Sequence, residues 1–134
     1  MDPGQALAEL KQISAQVQDA VIFDESGGVV ASTLGEERAP AMAAAARRLL
    51  ESAFEAVENG DQIVQIEVAL PEGSVVLARE GDAAVAATTV PDPTVGLIFY
   101  DLRTCLRALT ETEEKPKRRK APARKKKTED ADAS

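Results

Sequence analysis

The stretch IVQIEVALPEGSVVLAREGDAAVAATTV, residues 63–90, decides the fold of this chain. Its first part alternates in a way that predicts a strand with one apolar face, carried by Val64, Ile66, Val68 and Leu70. Turn-forming residues at 71–73 and 80–82 separate that strand from two further runs rich in valine and alanine. We therefore predict three consecutive antiparallel strands, a meander whose first strand is half-buried.

A long helix is predicted directly before this meander, over residues 36–58. Asn59 and Gly60 supply a left-handed cap at its end. Its apolar positions recur at helical spacing and mark the buried side: Ala39, Met42, Ala43, Ala46, Leu49, Leu50, Ala53 and Val57.

Further elements flank this unit on both sides. An amphipathic helix is predicted at the N-terminus, through residue 18. Residues 20–31 contain two apolar runs around turn residues at 24–28, which predicts a β-hairpin. After the meander, apolar residues at i, i+3, i+4 and i+7 predict a closing helix over 95–109.

The predicted order of elements is α-β-β-α-β-β-β-α. A hairpin before the long helix and a meander after it supply five antiparallel strands. The predicted fold class is therefore α+β, a five-stranded antiparallel sheet with flanking helices.

Charge divides the chain into two parts of opposite sign. Residues 1–110 carry 17 acidic and 7 basic residues, a net charge of −10. Residues 111–134 carry 6 acidic and 9 basic residues, a net charge of +3. All nine cations fall in KPKRRKAPARKKK, residues 115–127, where two prolines oppose a continuous helix. We predict a folded domain over 1–110 and a disordered tail over 111–134 with this polybasic segment.

The chain lacks the residue types that most catalytic and metal sites require. It has no histidine and a single cysteine, Cys105, which excludes histidine-based triads, zinc clusters and an internal disulfide. Neither a signal peptide nor a membrane span is indicated, so we expect a cytoplasmic protein. We expect no catalytic residue, no cofactor and no metal. Five acids are predicted in turns and caps, without calcium-loop spacing: Asp24, Glu25, Asp82, Asp92 and Asp101.

Five segments carry a family resemblance: DAVIFDESGGVVAS, APAMAAAARRLLESAF, IVQIEVAL, SVVLAREGDAAVAATT and VGLIFYDLRTCLRAL. They resemble the Roadblock family of dynein light chains, Ragulator subunits and bacterial polarity regulators, over about residues 5–109. The resemblance rests on element order, on the turn at 24–27 and on Gly96 at the start of a helix. It implies a Roadblock-like domain with a profilin-like sandwich fold.

The resemblance also implies a function. Roadblock domains form homodimers or heterodimers that serve as platforms for Ras-like small GTPases. The implied role is a non-catalytic regulator or scaffold, which includes GTPase-activating proteins. In such a dimer the strand after the long helix pairs edge to edge, and the long helices pack side by side. Here these elements are residues 62–70 and 36–58.

Both elements offer candidate contact residues. Small or strand-edge residues are the candidates for the dimer interface: Ala41, Ala44, Ala45, Gln65 and Glu67. Polar neighbours on the same helix face are the candidates for binding the GTPase: Arg48, Ser52 and Glu55. The strand has no proline or lysine to protect an open edge. Two plainer interpretations stay open, a solvated alanine face and a strand that is covered within the sheet or capped by a loop.

The polybasic segment offers contacts with three classes of anionic partner. These are nucleic acid, an anionic membrane surface, and an acidic protein surface such as the body of this or another copy. No aromatic residue is interleaved with the cations, so nucleic-acid binding is expected to be weak and electrostatic. A solubilising extension is the remaining interpretation. The cations are Lys115, Lys117, Arg118, Arg119, Lys120, Arg124, Lys125, Lys126 and Lys127.

Two other classes of function compete with GTPase regulation. A small-ligand or signal-sensing module needs a cavity with converging polar groups, whereas the predicted core positions are aliphatic. A nucleic-acid-associated protein would act through its basic tail. The negative charge of the body argues against this function. The sequence thus favours an interaction protein. It leaves open which GTPase is bound, whether hydrolysis is stimulated, and whether the dimer contains one or two kinds of chain.

Overall fold

The structure, a computed structural model, describes residues 2–59 and 64–118. Over these residues the predicted order of helices and strands is confirmed. The elements are α1 (Pro3–Ile13), β1 (Val17–Asp24), β2 (Val29–Ser32), α2 (Arg38–Ala56), β3 (Gln65–Leu70), β4 (Gly73–Glu80), β5 (Ala83–Thr89) and α3 (Val95–Arg118).

The strands form one antiparallel sheet in the order β2-β1-β5-β4-β3. The hairpin β1–β2 and the meander β3–β5 meet where β1 pairs with β5, from Val17 opposite Thr89 to Asp24 opposite Ala83. Within the described chain β2 and β3 are therefore the two edges of the sheet. Among residues 2–59 and 64–118, no strand covers the outer side of β3, contrary to the interpretation in which β3 lies inside the sheet.

Helices cover both faces of the sheet because successive strand residues point to opposite sides. On β1, Ala20 and Ile22 pack with α1 and α3, whereas Val21 and Phe23 pack with α2. All four residues are at most 2% exposed, so the run that they form is apolar throughout rather than alternating. This three-layer arrangement confirms the predicted α+β class.

The first helix ends earlier than predicted. The apolar spacing indicated a helix through residue 18, but α1 ends at Ile13 and Ser14 forms its C-cap in an extended conformation. Val17 instead belongs to β1, lies opposite Thr89 and is buried. The β-branched Val17 fits both a helical apolar stripe and a strand, and its pairing with β5 decides in favour of the strand.

The last helix extends beyond the predicted domain boundary at residue 110. α3 continues to Arg118, through a segment rich in glutamate, which is a good helix former. Pro116 lies in its final turn, where a missing N–H removes one hydrogen bond without interrupting a longer helix. The predicted disorder from Arg119 onward, and six of the nine cations, lie outside the described residues.

Gly73 determines how tightly β3 turns into β4. Its φ of +147° lies in the region that favours glycine, and a Cβ added there would clash with the Thr89 carbonyl oxygen. Leu70 and Gly73 then form the first pair of the β3–β4 ladder, and the register continues to Gln65 opposite Ala78. The turn thus sets which peptide groups of β3 point away from the sheet.

Candidate interaction surface

The outer edge of β3 carries peptide groups without partners in the described part of the chain. The Arg79 N–H donates to the Val64 carbonyl oxygen at 2.9 Å. Because hydrogen-bonded and non-hydrogen-bonded pairs alternate along an antiparallel ladder, residues 66, 68 and 70 also bond to β4. The peptide groups of Gln65, Glu67 and Ala69 consequently point outward. We call these three the open edge.

An apolar strip lies on one face of β3. Ile66 shares this face and packs against the buried cluster between the sheet and α2. The other members, Val64, Val68 and Leu70, are 51%, 37% and 52% exposed. α2 leaves them uncovered because it packs over β1, β2 and β5. The strand predicted to be half-buried therefore exposes most of its apolar face, and these three residues form the apolar strip.

The outward face of α2 matches the sequence prediction. Of the eight positions predicted on its buried side, Ala39, Ala43, Ala46 and Leu50 are buried and three are half-buried. The eighth, Val57, is 52% exposed because the helix ends at Ala56 and Val57 is its extended C-cap. All six predicted contact residues of α2 are exposed: Ala41, Ala44, Ala45, Arg48, Ser52 and Glu55. Within the described residues Arg48 forms no hydrogen bond or ion pair, whereas its neighbour Arg47 pairs with Glu51. The positions are thus accessible, and the roles assigned to them stay predictions.

The side chains of Gln65 and Glu67 lie on the other face of the sheet from the alanines. The Arg103 Nη1 of α3 donates to Gln65 Oε1 at 2.7 Å, and the Ser74 hydroxyl donates to Glu67 Oε2 at 3.3 Å. Both side chains are thus engaged within their own chain. Gln65 and Glu67 can therefore join the alanines of α2 in a dimer interface only through the outward peptide groups of the open edge, and not through their side chains.

A pocket of about 320 Å³ opens between α2 and the turns β1–β2 and β4–β5. Phe23, Leu50 and Phe54 supply its apolar floor, while the exposed Glu25 and Asp82 stand at its mouth. We call it the acidic pocket. Sequence analysis missed it because its lining comes from three segments that only the folded chain brings together.

The β1–β2 turn beside this pocket is held by Asp24. Its Oδ1 accepts hydrogen bonds from the Ser26 hydroxyl at 2.7 Å, the Gly28 N–H at 2.8 Å and the Ser26 N–H at 3.1 Å. The bonds from Ser26 and Gly28 lower the pKa of Asp24. Gly27 completes the turn with a φ of +90°. The turn therefore presents Glu25 at a defined position.

Charged groups converge on the mouth of the acidic pocket. Arg47 Nε donates to the Glu25 carbonyl oxygen at 3.1 Å, and its Nη2 lies 3.2 Å from Glu51 Oε2. The Arg79 guanidinium lies 5.0 Å from the centre of the Phe54 ring, a cation–π contact. A hydrogen bond with Asp82, and then its negative charge, raise the pKa of Glu25. Two carboxyl groups thus share one side of the mouth.

The described residues offer little for covalent or metal chemistry. Cys105 is buried, and this burial together with the Glu9 charge raises the pKa of its thiol to about 11. Such a thiol stays protonated near neutral pH and is a poor nucleophile. Among the described residues no group of three or more Cys, Asp or Glu side chains is arranged to hold a metal ion. In the same part of the chain no helix is long and apolar enough to cross a membrane.

Comparisons with known proteins agree with this geometry. The family model for the Roadblock/LC7 domain matches residues 5–89. A solved Roadblock/LC7 domain from Streptomyces avermitilis has 19% identity and a TM-score of 0.74, covering 84% of this chain and 98% of its own. MglB from Myxococcus xanthus has 12% identity and a TM-score of 0.70, covering 84% and 88%.

Similarity extends beyond these two structures. Profilin II from Acanthamoeba castellanii has 14% identity and a TM-score of 0.51, covering 73% of this chain and 89% of its own. Among curated proteins, none matches the sequence. At such identities the likeness is one of fold, and it confirms the predicted profilin-like sandwich.

Proposed function

The chain belongs to the Roadblock/LC7 family, and from that premise we propose that it is a dimeric, non-catalytic regulator or scaffold of a Ras-like small GTPase. The observation that carries the proposal is the open edge of β3 next to an uncovered apolar strip. An exposed, apolar edge strand is a template for pairing with another chain.

A second copy of the chain fits this surface. Two copies of β3 that pair edge to edge would satisfy the outward peptide groups of residues 65, 67 and 69 in both chains. The same pairing would set the two apolar strips side by side, on the face of the joined sheet that carries both α2 helices. Ala41, Ala44 and Ala45 are small enough to allow close packing there.

The GTPase would contact the polar part of the α2 face. Arg48 has a free guanidinium within the described structure, and Ser52 and Glu55 follow it on the same exposed side. Such groups steer and orient a charged partner surface without chemistry of their own. The absence of histidine from the sequence and the high thiol pKa of Cys105 agree with a regulator that acts through contact.

Binding to a small GTPase from the same genome tests the proposal. Full-length protein should bind the GTPase loaded with a GTP analogue more tightly than the GDP-loaded form. Arg48→Glu should weaken this binding by about tenfold, or about 1.4 kcal/mol. Arg107→Glu makes the same charge change on α3, on the opposite side of the sheet, and should leave binding unchanged.

Two results would overturn the proposal. One is the absence of binding to every Ras-like GTPase of the genome in both nucleotide states. The other is an equal loss of affinity in the Arg48→Glu and Arg107→Glu variants, because a specific contact on α2 would then not be involved.

A further inference from the structure

We propose that the acidic pocket is the docking site for the basic arm of the same chain, residues 119–127, and that it receives an arginine or lysine side chain. The arm carries Arg119, Lys120, Arg124, Lys125, Lys126 and Lys127. This inference rests on the pocket, on its charges and on the position from which the arm begins. It does not depend on the GTPase.

The lining of the pocket suits a long cationic side chain. Lysine and arginine bury an aliphatic stem and keep the charged end near water or a carboxylate. Here Phe23, Leu50 and Phe54 would contact the stem, and the Glu25 and Asp82 carboxyl groups stand at the mouth for the charged end. The volume of about 320 Å³ is at the lower end of the range for small-ligand pockets, which is ample for one side chain.

Charge complementarity favours a cation. The pocket is lined by four carboxylates, Asp24, Glu25, Glu51 and Asp82, and by two guanidinium groups, Arg47 and Arg79. Asp24 is committed to its turn and Glu51 to Arg47. The remaining pair, Glu25 and Asp82, lie together at the mouth. The positive charge of Arg79 acts to lower the pKa of Glu25, but the hydrogen bond and the charge of Asp82 outweigh it, so the pKa of Glu25 is raised. A cation placed between two like-charged carboxylates relieves their repulsion.

The arm begins close enough to reach the pocket. Arg107 Nε lies 2.9 Å from Glu80 Oε2, so α3 passes close to the end of β4. Glu80 is only two residues before Asp82, which lines the pocket. From Arg107 to Arg118 the helix rises by about 17 Å, and crossing from one face of the sheet to the other adds roughly 10 Å sideways. The straight distance back to the pocket is therefore about 20 Å, whereas the nine residues 119–127 span up to about 30 Å when extended.

Tethering makes a weak contact effective. A segment joined to its site by a short connection has an effective concentration on the order of millimolar. Arg124, Lys125, Lys126 and Lys127 lie at about 20 to 30 Å of extended chain from Arg118, so they are the residues that reach the mouth. The docked arm would neutralise the pocket and withdraw its own cations from other anionic partners.

Trypsin cleavage of the full-length chain tests the proposal, because every cation of the arm is a cleavage site. At low ionic strength docking should protect the sites at 124–127. The double variant Glu25→Gln, Asp82→Asn should be cleaved there at least about threefold faster, since cleavage follows the undocked fraction. The control Glu55→Gln, Glu58→Gln removes the same charge from exposed positions outside the pocket and should keep the protection.

A spectroscopic measurement separates docking from a general charge effect. Replacing residues 124–127 by glutamine in the full-length chain should shift the amide resonances of Gly81 and Asp82 and leave those of β2 unchanged. Equal cleavage rates in the pocket variant and the parent protein would overturn the proposal. So would unmoved pocket resonances, or protection that increases with protein concentration, which would assign the occupant to another copy.

Discussion

Asp101 is a buried acidic residue in a place that the sequence pattern did not predict. The pattern predicted an acid of a turn or cap, but Asp101 lies within α3 and is 9% exposed. No hydrogen bond or ion pair between described residues includes its carboxyl group. Burial raises the pKa of Asp101 above the ordinary value of 3.8, because water no longer solvates the charged form. An ionised Asp101 therefore opposes folding.

Replacing this carboxyl group should stabilise the protein in a pH-dependent way. The folded state binds the proton more tightly than the unfolded chain, so stability falls as pH rises from 3.8 through the higher folded pKa. Asp101→Asn should increase the free energy of unfolding at about pH 7, by about 1.4 kcal/mol for each unit of pKa shift. The increase should vanish below about pH 4, where the carboxyl group is protonated in both states.

Urea unfolding of the full-length protein at both pH values, at one protein concentration, measures this effect. Glu58→Gln, at an exposed position after α2, is the control and should change stability little at either pH. A loss of stability for Asp101→Asn at neutral pH would mean that the carboxylate has a stabilising partner.

Among the elements, β3 differs most from a strand of an isolated domain. It pairs with β4 on one side only, and its apolar strip has no cover in the described chain. Proteins that remain monomeric usually protect such an edge with lysine, proline or a bulge, none of which occurs in QIEVAL. The described residues thus satisfy only part of the alternation that predicts a half-buried strand, and in the proposed dimer a second copy would contribute the missing cover.

Proline substitutions can separate dimerisation from folding at this strand. The Glu67 N–H points outward, so Glu67→Pro should preserve the β3–β4 ladder and weaken the proposed dimer. We expect the dissociation constant to rise at least about tenfold, because the pairing hydrogen bonds of both copies are lost. Sedimentation velocity over a range of concentrations measures this change.

Two controls accompany this variant. Glu67→Ala removes only the bond from Ser74 and should remain dimeric. Val68→Pro removes an N–H that bonds to β4 and should lower the thermal stability. The proposed edge pairing is incorrect if Glu67→Pro associates as tightly as the parent chain.

At the scale of the whole molecule, charge separates the body from the arm. Residues 1–110 carry a net charge of −10, and residues 1–134 together carry −7. Dimerisation through β3 would bring two such bodies together, and like net charge opposes association. In the proposed dimer, the contacts of the apolar strip and the open edge would have to outweigh this repulsion. The basic arm would reduce the repulsion only when the arm lies against the acidic surface of the body.

The dimer should consequently become tighter as salt is added. Raising the ionic strength from about 0.01 to 0.1 M shortens the Debye length from about 30 to about 10 Å and screens the repulsion between bodies. Replacing all nine basic residues of the polybasic segment 115–127 by glutamine changes the net charge from −7 to −16, and the salt dependence should then become steeper. Analytical ultracentrifugation at several ionic strengths measures both.

The opposite dependence would be equally informative. A dimer that dissociates on adding salt would be held together by attraction between the arm of one copy and the body of the other. That result would also contradict docking of the arm within its own chain.

The sequence by itself determined the elements and their order, because turn residues and apolar spacing act locally. The alternation in residues 63–70 identified β3, and the spacing within 36–58 identified α2 and its exposed face. The turn at 24–28 was likewise predicted, since Asp24 and Gly27 form it with their immediate neighbours. Charge composition also distinguished the body from the basic segment.

Only the tertiary structure decided which surfaces remain uncovered. An alternating pattern predicts that one face of a strand is buried, but it does not identify the element that covers this face. Val64, Val68 and Leu70 are exposed because α2 packs over β1 and not over β3. Val17 joined β1 because β5 offered it a partner. The acidic pocket exists because the chain brings Glu25, Asp82 and α2 together from distant segments, and spacing along the sequence carries no record of such a contact.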